Sequence, residues 1–208
     1  MYYTSENVDK YFTKFSKFAL WKRKAKRFDD KFYANYSDVF FGDYNFASML
    51  KNSNTIGCCH FFALLLAKAT PNSKLQTGEL DALMAVAYNG CKEPFEHSWV
   101  EVGDYVLDTT SKQIFKKDYY YQTFKPIVKQ TLLESELQDD KQFFLQAFWA
   151  LKKREPFLED NFLNIFSPIY NKNKHDKNFM EKFAQIKNNE DIYINFNKLN
   201  NYENNLEK

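Results

Sequence analysis

"HSWVEVGDYVLDTT", His97 to Thr110, carries more information about this chain than any other stretch of it. Two runs of aromatic and β-branched residues flank Gly103-Asp104, a two-residue hairpin signal. With those two as the turn, Val102 faces Tyr105, Glu101 faces Val106, Val100 faces Leu107 and Trp99 faces Asp108. Facing residues share one side of a sheet. Strand alternation puts His97, Trp99 and Glu101 on that same side. His97 and Asp108 are then diagonal neighbours within reach of a side-chain hydrogen bond. A carboxylate so placed fixes the tautomer of an imidazole and stabilises its charged form.

Such a pair lacks a nucleophile, and "TIGCCHFFALLLAKA", Thr55 to Ala69, offers one. Residues 57–70 read as a helix closed by Pro71 and Asn72, and two cysteines lie at its start. The positive end of a helix dipole lowers the pKa of a thiol in the first turn, and a nearby histidine lowers it further. One cysteine can be a packing residue and the other a nucleophile. Cys, His and Asp together make a complete thiol nucleophile set.

At this point the chain resembles a known family. Gly57-Cys58-Cys59-His60-Phe61-Phe62-Ala63-Leu64-Leu65 is similar to the transglutaminase-like core motif, in which a Gly precedes the nucleophilic Cys by two and a Phe-Ala pair begins three after it. That register makes Cys59 the nucleophile and leaves Cys58 to packing. His97 to Thr110 resembles the second motif of the same family, with His97 and Asp108 matching its catalytic pair. The likeness covers about residues 55–112. It implies a papain-like α+β core, a central helix packed on an antiparallel sheet, and a covalent thioacyl intermediate. Cys59 attacks a carbonyl, His97 moves the proton and Asp108 orients His97. A cysteine peptidase or amidase acting on a protein or peptide substrate is the first expectation. The alternatives are an acyltransferase or protein cross-linking enzyme, and a non-catalytic interaction module that keeps the fold. No cofactor or metal is expected. Cys58, Cys59, Cys91 and His97 also lack the usual two-residue gaps of a metal site. Papain-like relatives often place an oxyanion-hole Gln shortly before the Cys. Here no Gln precedes Gln76, so Asn54 and Asn52 are the nearest candidate donors, with Trp21 more distant.

Other residues read more plainly. Trp99 shields the His–Asp pair from water. His60 belongs on an exposed or half-exposed side of the helix start, and His175, in "NKNKHDKNF", belongs in solvent. Phe143, Phe144, Phe148 and Trp149 pack a core.

The remaining sequence frames this centre. Residues 5–50 read as helices from the spacing of Val8, Phe12, Phe15 and Phe18, and 81–89 reads as a strand. From Leu132 onward the pattern is helical again. The layout is α+β in a single domain: N-terminal helices over 1–54, a core over 55–128 and a C-terminal helical extension over 129–208. "WKRKAKRF", Trp21 to Phe28, carries five basic residues in eight and reads as a solvated helix face. A net charge of +2 and the lack of a stacking context argue against nucleic acid as the partner. Three cysteines are no disulfide framework and suit a reducing, cytoplasmic setting. No secretory leader or membrane span is expected.

Overall fold

The computed structural model of the chain describes residues 25–53, 55, 57–80, 95–150, 157–187 and 199. The elements run β1 (Ala25–Arg27), α1 (Asp30–Ala34), β2 (Phe40–Phe41), β3 (Tyr44–Asn45), α2 (Phe46–Asn52), α3 (Cys59–Lys68), β4 (Lys74–Leu80), β5 (Phe95–Val102), β6 (Tyr105–Asp108) and β7 (Gln113–Lys116). They continue with α4 (Lys117–Phe124), β8 (Ile127–Leu133), α5 (Glu134–Leu137), α6 (Asp140–Ala150), α7 (Phe157–Asn173) and α8 (Lys177–Lys187). This is an α+β architecture. Six strands form one antiparallel sheet in the order β1-β7-β6-β5-β4-β8.

Each face of the sheet buries a different cluster, because alternate residues of each strand point opposite ways. Leu75, Val100, Val102, Leu107 and Ile114 face α3, whose residues Phe61 to Ala67 are all buried. A helix apolar all round must be covered all round, and α6, α7 and α8 supply the outer cover. Phe143, Phe144, Phe148, Phe162, Phe166 and Phe183 are buried there, whereas Trp149 is only half-buried. The second cluster, Leu80, Trp99, Val106 and Phe115, lies under Tyr120 and Phe124 of α4.

Several segments depart from the sequence reading. The hairpin registers as expected from Val102↔Tyr105 to Val100↔Leu107, but the ladder stops there, one step short of Trp99 and Asp108. β6 ends at Asp108 rather than Thr110 because the Thr110 and Ser111 N–H groups turn back onto the Asp108 carboxylate. Residues 25–53 are not all helical. β1 joins the sheet edge beside β7, and β2 and β3 form a small hairpin. Gly42 turns that hairpin at φ +57°, and a Cβ there would lie 2.2 Å from the Asn164 side chain. Asn164 of α7 holds the turn through Asp43, accepting from its N–H at 2.9 Å and donating to its carboxylate at 2.7 Å. Lys26 and Arg27 therefore lie on a strand, not on a helix face, and Lys26 bonds Asp29 at 2.9 Å. β8 carries strand structure to Leu133, past the start expected for a C-terminal helical extension, because it pairs with β4 and closes that side of the sheet. The strand expected over 81–89, the helices before residue 25, and Lys22, Arg23 and Lys24 lie outside the described residues. Among the described residues no helix is long and apolar enough to cross a membrane.

Candidate active site

The Cys-bearing loop is built by a turn and a tether. Gly57 adopts φ +79°, a conformation costly for residues with a Cβ. The Cys58 N–H donates to the Thr55 carbonyl at 3.1 Å. The Thr55 hydroxyl donates in turn to the Thr109 carbonyl at 2.9 Å. This bond ties the loop before α3 to the loop after Asp108, two segments far apart in sequence. Cys58 occupies the N-cap and Cys59 is the first residue of the helix. Cys58 is buried in the main core cluster, where a thiol behaves as a small apolar group.

Cys59, His97 and Asp108 come together. His97 Nε2 lies 3.1 Å from Asp108 Oδ2, with the two side chains almost fully buried. Tyr120 Oη also approaches Oδ2, at 3.5 Å. Asp108 Oδ1 accepts from the N–H of Thr110 at 2.9 Å and of Ser111 at 3.1 Å. The carboxylate is thus held by backbone on one oxygen and offered to the imidazole on the other. Cys59 hydrogen-bonds to His97. Because Nε2 is turned to Asp108, Nδ1 is the ring nitrogen left for sulfur. Burial pulls the His97 pKa down, but the charge and hydrogen bond of Asp108, with those of Cys59, overcome it and push it up to about 10. An imidazole so placed is cationic at neutral pH. A thiol that meets an imidazolium at a helix N-terminus is stabilised as thiolate.

Trp99 forms the wall of the site. Its ring is fully buried and stacks on His97 with centroids 6.3 Å apart and planes 17° apart. The indole N–H donates to Glu101 Oε1 at 3.3 Å, and Tyr121 Oη donates to the same oxygen at 2.6 Å. Lys117 pairs with Glu101 Oε2. Burial works against the Glu101 charge, yet Lys117, Tyr121 and Trp99 together hold its carboxyl below the usual value.

The expected oxyanion donors fare differently. Asn52 is exposed near the end of α2, and its amide donates to Ser48 Oγ at 3.2 Å. It takes no part in the cluster around Cys59. Asn54, Trp21 and Cys91 lie outside the described residues. The Cys59 backbone N–H sits in the first helical turn, where no preceding carbonyl of the helix can reach it. Among the described residues no group of three or more His, Cys, Asp and Glu side chains is arranged to hold a metal ion.

His60 is not on an exposed side: only 4% of its surface is accessible. Its Nδ1 lies 2.8 Å from Ser98 Oγ and 3.2 Å from Thr77 Oγ1, and its ring stands edge-on to Trp149. The sequence held one clue, since strand alternation turns Ser98 toward the α3 face. Nothing local says that His60 meets it. The roles of Glu101, Lys117, Tyr120 and Tyr121 were likewise missed, because α4 comes to Trp99 only through the tertiary fold. His175 is exposed, as its polar neighbours suggest.

No protein-family model matches the chain, and comparison with curated proteins and with solved structures finds no match either.

Proposed function

We propose that this chain is a cysteine hydrolase of transglutaminase-like, papain-like type that cleaves an amide or peptide bond through a thioacyl intermediate. The observation that carries this reading is the chain of contacts Cys59–His97–Asp108, buried, with the thiol at the first turn of α3. The Cys59 thiolate adds to the carbonyl carbon, and the π electrons move onto oxygen. The Cys59 N–H faces that developing charge as one donor. As the tetrahedral intermediate collapses, the C–N bond breaks and imidazolium His97 gives its proton to the departing amine. Neutral His97 then removes a proton from water, whose oxygen attacks the thioester, and the C–S bond breaks to restore the thiolate. Asp108 keeps the ring aimed throughout. An amine in place of that water gives acyl transfer or cross-linking instead. The resemblance of both sequence motifs to the family supports the assignment. Two thiols in the described chain are consistent with a reducing, cytoplasmic setting.

A second reading has its own observation. Cys59 is only 7% exposed and His97 1%. A closed site suits an interaction module that retains the fold, or an enzyme that must open. An electrophilic acyl probe on the full chain separates these. Covalent labelling at Cys59, lost in His97→Ala, supports catalysis. No labelling of folded protein, with a Cys59 that titrates as an ordinary thiol, refutes it.

A further inference from the structure

His97 and Ser98 point to opposite sides of β5, yet both meet consecutive residues at the start of α3: Cys59 bonds His97 and His60 bonds Ser98. The start of α3 thus reaches side chains from both faces of β5. The β5–β6 ladder ends nearby, at Val100↔Leu107. Thr77, the β4 partner of Ser98 in the ladder, completes a closed triangle with Thr77 Oγ1 3.1 Å from Ser98 Oγ. Trp149 of α6 covers the His60 ring at 5.0 Å between centroids. His60, Ser98 and Thr77 are all buried.

We infer that His60, Ser98 and Thr77 form a positioning cluster that sets the approach of Cys59 to His97. The inference rests on the thiolate–imidazolium reading above. Its physical basis is the contrast between two kinds of contact. Apolar packing of a helix on a sheet is non-directional, so it leaves the helix end free to slide by the few tenths of an ångström that matter to a hydrogen bond. A hydrogen bond is directional and weakens steeply off its axis. The His60–Ser98 bond lies one residue along each chain from the reacting pair, a Cα step of about 3.8 Å. A rigid bond at that point fixes the separation at the next. Polar groups are costly to place in an apolar core unless they are joined to each other, and the low dielectric that makes them costly also strengthens the bonds between them. Apolar residues would fill this space without fixing a direction. The cluster is not a second nucleophile, since the Ser98 hydroxyl is enclosed and shared with Thr77.

The test uses the full chain and reads the ionisation of Cys59, from the ultraviolet absorbance of the thiolate difference against Cys59→Ala, across pH. Thermal melts report folding. The variants are Ser98→Ala, Thr77→Val and Thr77→Ser. Ser98→Ala and Thr77→Val are expected to move the Cys59 midpoint upward by about one unit, a tenfold loss of thiolate below the midpoint. Thr77→Ser, which keeps the hydroxyl, is expected to restore the wild-type midpoint. Folded Ser98→Ala and Thr77→Val with unmoved midpoints overturn the inference and leave the thiolate reading standing. Thr77→Ser behaving like Thr77→Val overturns it too, because volume rather than the hydroxyl would then be responsible. If Ser98→Ala fails to fold, the Thr77 pair decides alone. A wild-type Cys59 that titrates near ~8.5 defeats the thiolate reading itself, and this inference with it.

Discussion

Asp108→Asn probes the candidate site most sharply, because it removes a charge while keeping the shape of the side chain. The Asn carbonyl can still accept from the Thr110 and Ser111 N–H groups, so the loop is retained. Its amide N–H₂ now faces His97 Nε2, which must become an acceptor and can no longer carry its proton there. His97, pushed up to about 10 chiefly against burial by Asp108, loses its main support and turns neutral at pH 7. Cys59 then loses its cation. An isolated thiol with a pKa near ~8.5 is about 1 part in 300 thiolate at pH 6. A thiol ionised almost completely at that pH therefore loses about 300-fold in thiolate. The surviving thiolate is more basic by about three units and, with a Brønsted slope of about 0.4–0.5, about 20-fold more nucleophilic. The net expectation is alkylation of Cys59 about 15-fold slower at pH 6. Between about pH 8.5 and pH 10 both thiols are largely ionised while wild-type His97 is still cationic, and there the order reverses, with the variant faster. Alkylation by a small neutral reagent, followed by peptide mass spectrometry at each pH, measures the crossing. Two superimposable curves from folded proteins would refute the argument, because the Asp108 charge would then have no hold on the thiol.

Four further outcomes follow from the same geometry. Cys59→Ala is expected to abolish acyl-probe labelling, whereas Cys58→Ala keeps the labelling and costs about 1 kcal/mol of stability in denaturant unfolding, the price of one buried thiol. Glu101→Ala strands the buried Trp99 N–H and the Tyr121 hydroxyl, so it is expected to cost about 2 kcal/mol or more, read as a lower urea midpoint at unchanged slope. Gly42→Ala places a Cβ at φ +57° against Asn164 and is expected to destabilise by about 1–3 kcal/mol while leaving the Cys59 titration unmoved. The folded-state pKa of His97 lies above its unfolded value, so its contribution to stability is complete below about pH 6.5 and is lost as pH rises toward about 10. Because the Cys59 thiolate is formed in step with the imidazolium, the melting temperature of wild type is expected to fall relative to His97→Ala chiefly between about pH 8.5 and pH 10, and parallel curves there would count against a cationic His97.

The parts of this protein legible from sequence are those set by neighbours along the chain. Gly103-Asp104 dictates a tight turn, and a period of two then dictates which residues share a face, so the pairing of Val102 with Tyr105 and the nearness of His97 to Asp108 could be counted out. The apolar run after Cys59 had no other way to bury itself than as a covered helix. Within residues 25–53 the helices Asp30–Ala34 and Phe46–Asn52 match the helical reading, whereas the three strands there escape it because short strands carry little periodicity of their own. β1 is three residues long and exists because β7 offers it a ladder, while β2 and β3 turn at a glycine held by a side chain of α7. The same reason hid the surroundings of the site. Whether Cys59 reaches His97, whether His60 is buried against Ser98, and which tyrosines of α4 close over Trp99 depend on how a helix docks on a sheet. That docking is decided by the summed packing of distant aromatic residues, and by the point at which β6 parts from β5. No local pattern carries either quantity, and only the folded chain expresses them.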